Sequence, residues 1–157
     1  MADKHAGMAR ILVTESIADG GLDPGAPATL AQVTGQAVDL VLGADEVLVR
    51  TLDPLPAESR GYLDGIVQHN LERITPWRAD DVLRSYHEAP LGPTDGRLLV
   101  TVVATARPLL QPRLDALVAA GARDVRLIAR GVGPGGDDAV IDVGDATTAA
   151  RRRTASR

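Results

Sequence analysis

The chain has no cysteine and no phenylalanine, and aromatics make up 2% of it: two Tyr and a single Trp in 157 residues. The missing cysteine excludes a disulfide framework, a thiol nucleophile and any cysteine-based zinc site, and it agrees with a reducing compartment. With so few aromatics the core has to be built from Leu, Val, Ile and Ala, and little is left on which a nucleic-acid base could stack. A formal charge of −4 and a pI near 5.3 point the same way. A general nucleic-acid binder needs a basic face to neutralise phosphates. Long apolar runs are missing as well. No window approaches the ~18 to 20 consecutive apolar residues of a membrane span. The opening Met1-Ala2-Asp3-Lys4-His5 has none of the apolar core of a signal peptide, so a soluble, unexported domain is expected.

What is present is enough for one core. A hydrophobic content of 45% is ordinary for a globular protein, and a domain of this size buries roughly 70% of its unfolded surface without metal or disulfide staples. The charge is uneven: Arg151 to Arg157 carry four Arg and no acid. Such a cluster is either a solvated tail or the basic flank found on the cytoplasmic side of a membrane helix.

Residues 1–36 are rich in Gly, Pro and Ala and read mostly as loop, with a short apolar run at Ile11-Leu12-Val13 and a short helix around Ala28 to Val33. From Val38 the pattern sharpens. Val38, Leu40 and Leu42 alternate, Gly43-Ala44-Asp45 interrupts, and Val47 to Thr51 resumes a β-prone stretch, which predicts a hairpin. Asp53-Pro54-Leu55-Pro56 ends the second strand, because proline removes ladder donors, and a helix is expected to begin just after it. Leu63, Ile66, Val67, Asn70, Leu71 and Ile74 fall at helical spacing. Pro76 disfavours helical geometry at Thr75 and forces a stop. Strands follow at Val82 to His87 and, centrally, Arg97 to Thr105, joined by a turn-rich loop. A second helix opens at Pro108, carries Leu110, Leu114, Leu117 and Val118, and stops at Gly121. Asp124 to Ala129 reads as a strand, Gly131 to Gly136 as a flexible break, and Ala139 to Val143 as a short last strand. The order ββαββαβ favours an α+β two-layer sandwich over a doubly wound parallel sheet. The expected organisation is a poorly defined segment 1–36, an α+β domain 37–130, a Gly/Asp-rich linker 131–150 that includes an edge strand, and the basic tail 151–157.

Candidate chemistry is thin. Gly131-Val132-Gly133-Pro134-Gly135-Gly136 resembles a phosphate loop but lacks the terminal Lys-Ser/Thr, and Asp137-Asp138 follows it and would repel an anion. His5, His69 and His87 have no ligand spacing, and Asp137, Asp138, Asp142 and Asp145 lack the Asp-x-Asp-x-Asp-Gly pattern of a calcium loop. Neither Ser59 nor Ser85 stands in a Gly-x-Ser-x-Gly elbow. No catalytic, cofactor or metal residues are assigned, and no cofactor is expected. Trp77 and Arg78 remain as a surface pair of the composition favoured at interface hot spots. The alternative is that Trp77 caps the core between helix and sheet.

The strand Val47 to Pro56, followed by a helix closing on Leu71-Glu72-Arg73-Ile74-Thr75-Pro76-Trp77, resembles the cytoplasmic part of GspL and the related PilM-type proteins of type II secretion and type IV pilus assembly. Those sequences typically have Glu-Arg-x-Thr/Ile-Pro-Phe at this point. Arg97 to Thr105 leading into Ala106-Arg107-Pro108, and a helix ending at Ala119-Ala120-Gly121, are similar to that family's later strand and helix. The resemblance spans residues 37–130 and departs from the usual pattern at Trp77, where Phe is common. It implies the small domain inserted into an actin-like fold. It also implies a non-catalytic scaffold on the cytoplasmic side of the bacterial inner membrane. The partners it implies are a secretion or pilus ATPase and inner-membrane platform proteins, and it is compatible with a homodimer. The expected protein contacts use either a sheet edge or the Trp77-Arg78 turn, with Trp77, Arg78, Arg73 and Arg107 as the candidate contact residues. The chain has too few residues for two nucleotide-clasping lobes, so ATP binding is not expected to carry over. The basic tail then becomes juxtamembrane, with the membrane reached through a segment beyond residue 157. The alternative functions are a small nucleotide- or cation-binding regulator using Gly131 to Gly136 with the following Asp residues, and a cytoplasmic adaptor without a membrane connection.

Overall fold

The computed structural model describes residues 10–13, 33–94, 96–141 and 143. The basic tail, His5, Asp145 and most of the N-terminal segment, including most of the expected helix at 28–33, lie outside them. The strands are β1 (Arg10–Val13), β2 (Ala37–Val41), β3 (Leu48–Thr51), β4 (Leu55–Pro56), β5 (Val82–Pro90), β6 (Arg97–Ala106), β7 (Asp124–Ala129) and β8 (Ala139–Ile141). The helices among the described residues are α1 (Leu63–Ile74) and α2 (Arg107–Ala119). The chain is therefore mixed α+β. It divides into two compact units, one from Met1–Leu42, Pro108–Ile128 and Asp142–Arg157, the other from Gly43–Arg107 and Ala129–Ile141.

In the first unit β1, β2 and β7 run parallel, with Ile11 opposite Val38, Val13 opposite Leu40, and Leu40 opposite Leu127. All five residues of β2 are buried, which is the signature of a strand covered on both faces. The pairing of β2 with β1 and β7 overturns the expected hairpin. Val38 to Leu42 and Leu48 to Thr51 belong to different sheets, and between them Ala44–Glu46 forms a 3-10 turn rather than a hairpin turn. The acid in the middle of β2 does not disrupt the buried strand, because Arg126 lies directly opposite Asp39 and donates to both its oxygens, each at 3.0 Å.

The second helix belongs to this unit from Pro108 onwards. It buries Leu110, Leu114 and Leu117, spaced so that all three fall on one face. It ends in a two-bond glycine cap: the Ala122 N–H donates to Leu117 O at 3.0 Å, the Gly121 N–H to Val118 O at 2.9 Å, and Gly121 sits at φ 92°. The turn 33–36 closes on this cap. Thr34 Oγ1 donates to Ala120 O at 2.6 Å, and the Gly35 N–H donates to Gly121 O at 2.8 Å.

In the second unit β6 is the middle strand. Nine residues of β5 pair with it antiparallel, from Val82 opposite Ala106 to Pro90 opposite Leu98. Along its other edge lie β3, with Leu48 opposite Ala104, and then β4, with Leu55 opposite Leu98. Pro56 was expected to end the pairing, yet it stands opposite Arg97. An edge position tolerates proline because one side of the strand needs no ladder donor. A 3-10 turn, Ala57–Tyr62, then precedes α1, so the helix starts later than expected. Leu63, Val67 and Leu71 repeat every four residues and pack into one buried cluster with Leu52, Val82, Val100, Val102 and Ala104. The alternate residues of β6 thus supply the floor on which α1 lies.

Candidate functional site

The end of α1 is where sequence reasoning placed the contact residues, and its local geometry accounts for almost every residue of Leu71 to Trp77. Leu71 is fully buried in the core. Thr75 takes an extended backbone, φ −125° and ψ 158°, as expected for a residue before proline. Its N–H donates to Leu71 O at 2.9 Å, and its hydroxyl donates to the same carbonyl at 2.7 Å. A buried hydroxyl needs such a partner, and a helix end needs its last carbonyls satisfied. One side chain meets both needs. The Trp77 N–H points at the same hydroxyl at 3.3 Å.

Glu72 reaches across the turn and accepts the Ala79 N–H at 2.9 Å, where the 3-10 turn Ala79–Asp81 begins. A carboxylate on the free amides of a helical turn is favourable both as a cap and through the local dipole. Arg73 points into solvent and donates through Nε and Nη2 to Asn70 Oδ1, at 3.0 and 2.8 Å; Asn70 in turn donates to Ile66 O at 2.7 Å.

Trp77 is half-buried and packs against the cluster around Leu71 and Val82. Core capping therefore accounts for part of its surface, and the remainder faces solvent. Arg78 is exposed. Arg73, Trp77 and Arg78 lie within one helix end and turn, whereas Arg107 stands at the junction of β6 and α2. Arg107 is half-buried, and its Nε is buried without a hydrogen-bond partner among the described residues.

The approach to α1 carries two further ion pairs that the sequence did not single out. Arg60 Nε meets Glu88 Oε1 at 2.7 Å, and Arg84 Nη2 meets Asp64 Oδ1 at 3.0 Å. Both join the start of the helical segment to β5. Tyr62, between Arg60 and Asp64 in the chain, is 73% exposed. Arg84 and Glu88 fall at period two on β5, on the same side as Tyr86, which packs on the α1 core. That spacing is the signal that could have paired them with Arg60 before α1 and Asp64 in its first turn. The buried Asp39 was similarly signalled by a lone acid inside an apolar strand.

The glycine-rich segment forms a closed turn. The Gly133 N–H donates to Asp137 O at 2.7 Å, the Gly131 N–H to Asp138 Oδ1 at 3.1 Å, and the Gly136 N–H to Gly133 O at 3.2 Å. A phosphate cradle needs free, convergent amides, and these three point at the chain's own oxygens. Glycine is required at 133 for space, since a Cβ there would fall 2.7 Å from Asp138 O. His69 is exposed on α1 and His87 half-buried on β5. No group of three or more His, Cys, Asp or Glu among the described residues is arranged to hold a metal ion. No helix among them is long and apolar enough to cross a membrane.

No protein-family model and no curated protein matches the chain. Among solved structures it is similar to a chain of a PilM-PilN type IV pilus biogenesis complex, at 22% identity and a TM-score of 0.49, over 69% of this chain and 35% of that one. The chain thus spans little more than a third of the length of the solved chain it matches.

Proposed function

We propose that this chain is a non-catalytic scaffold whose second unit presents the Trp77-Arg78 turn to a protein partner. The observation that carries the reading is the double anchoring of that turn: Thr75 ties it to the last turn of α1, and Glu72 ties it to the 3-10 turn that follows. A Trp and an Arg held on a rigid turn lose little conformational freedom on binding, and both residue types are enriched at interface hot spots. The remainder of the reading comes from the sequence resemblance. The setting is the cytoplasmic side of an inner-membrane platform of type II secretion or type IV pilus assembly. The partners are the system's ATPase and platform proteins, and the Arg151 to Arg157 tail lies beside the membrane. The second unit, whose main stretch runs through two strands, a helix and two more strands, is the counterpart of the small domain inserted into an actin-like fold. Its main stretch, Gly43–Arg107, lies between two segments of the first unit, as an inserted domain does.

The test is binding of the purified chain to the cytoplasmic parts of candidate platform proteins and to the ATPase, measured by calorimetry, with Arg78→Glu beside the native chain. Arg78 is exposed, so the substitution should leave the melting temperature within about 2 °C, since surface changes stay near ±0.5 kcal/mol. Affinity should fall at least tenfold, about 1.4 kcal/mol. Unchanged affinity for every partner that binds would remove the turn from the interface. No binding to any of them would remove the platform setting.

A further inference from the structure

We draw no further inference here: the strongest candidate, the outward apolar face at the start of α2 formed by Pro108, Leu109 and Pro112, is exposed with Leu109 at 48%, and nothing in the structure shows what covers it.

Discussion

Glu72 Oε2 accepts the backbone N–H of Ala79 at 2.9 Å across seven residues of chain, so the carboxylate of the last helical turn caps the turn that follows it. Between the two, the Thr75 hydroxyl donates to Leu71 O at 2.7 Å. The segment from Leu71 to Ala79 is thereby fastened at both ends. Its sequence character, an acid three residues before Thr-Pro and an aromatic after it, follows from that fastening: the acid caps, the Thr closes the helix, the Pro stops it and the aromatic covers the core.

Thr75→Val should separate the hydroxyl from the shape of the side chain. It removes the bonds to Leu71 O and from Trp77 N–H at a site only 6% exposed, while the backbone bond from Thr75 N–H to Leu71 O stays. The expected loss is about 1 kcal/mol, or about 2–4 °C in melting temperature for a chain of this size, with Thr75→Ser close to native. Equal stability of all three proteins would show that the hydroxyl contributes nothing.

The core beneath the turn should be far less forgiving. Leu71 is fully buried among Val67, Val82 and Val100. Leu71→Ala deletes its side chain beyond Cβ from a packed cluster, and such truncations cost about 2–5 kcal/mol depending on how far the site collapses. Urea unfolding should therefore lose a large part of a total stability of the order of 5–15 kcal/mol. A change below about 1 kcal/mol would mean the packing is looser than described.

How much of this was legible in sequence depends on how far apart the partners stand. The β5-β6 pairing was readable from its two β-prone runs and a turn-rich loop, and α1 from the four-residue repeat of Leu63, Val67 and Leu71, because all of that information is local. The partners of β2 are not local. Val38 and Leu40 alternate and are followed by Gly43, as in a hairpin, but Asp39 meets its pair at Arg126, 87 residues later, and nothing in the intervening turn reports this. β4 escaped notice because two prolines exclude a central strand but not an edge. At the candidate site the helix stop was legible in Pro76, whereas the caps of Glu72 and Thr75 depend on where the chain returns after the turn.

The Asp39–Arg126 pair should behave as a unit. Asp39 is 7% exposed, whereas the Arg126 side chain is 40% exposed. Arg126→Ala leaves a nearly buried carboxylate without its two charge-assisted bonds, which should cost about 1–3 kcal/mol. Asp39→Asn with Arg126→Gln exchanges the ion pair for amides of similar shape and should recover at least half of that loss. A double-mutant cycle from Asp39→Asn, Arg126→Gln and the two together, on chemical denaturation, measures the coupling. Additive losses would show that the two side chains do not stabilise each other.

The glycine-rich turn makes the sharpest contrast between two equally small changes. At Gly133 an added methyl would lie 2.7 Å from Asp138 O and 2.9 Å from Asp137 O, both backbone atoms, whereas at Gly61 nothing lies within 4 Å. Gly61→Ala should be neutral or slightly stabilising, since it narrows the unfolded ensemble without strain. Gly133→Ala has to push the backbone at Asp137 and Asp138 aside and should cost about 1–3 kcal/mol. Because the amides of Gly131 and Gly133 already serve Asp138 and Asp137, nucleotides and divalent cations should leave the native melting temperature unchanged. A ligand that bound this turn would raise it by mass action. A concentration-dependent rise with a nucleoside triphosphate, abolished by Gly133→Ala at a temperature where that variant is folded, would overturn the scaffold reading in favour of a nucleotide-binding regulator.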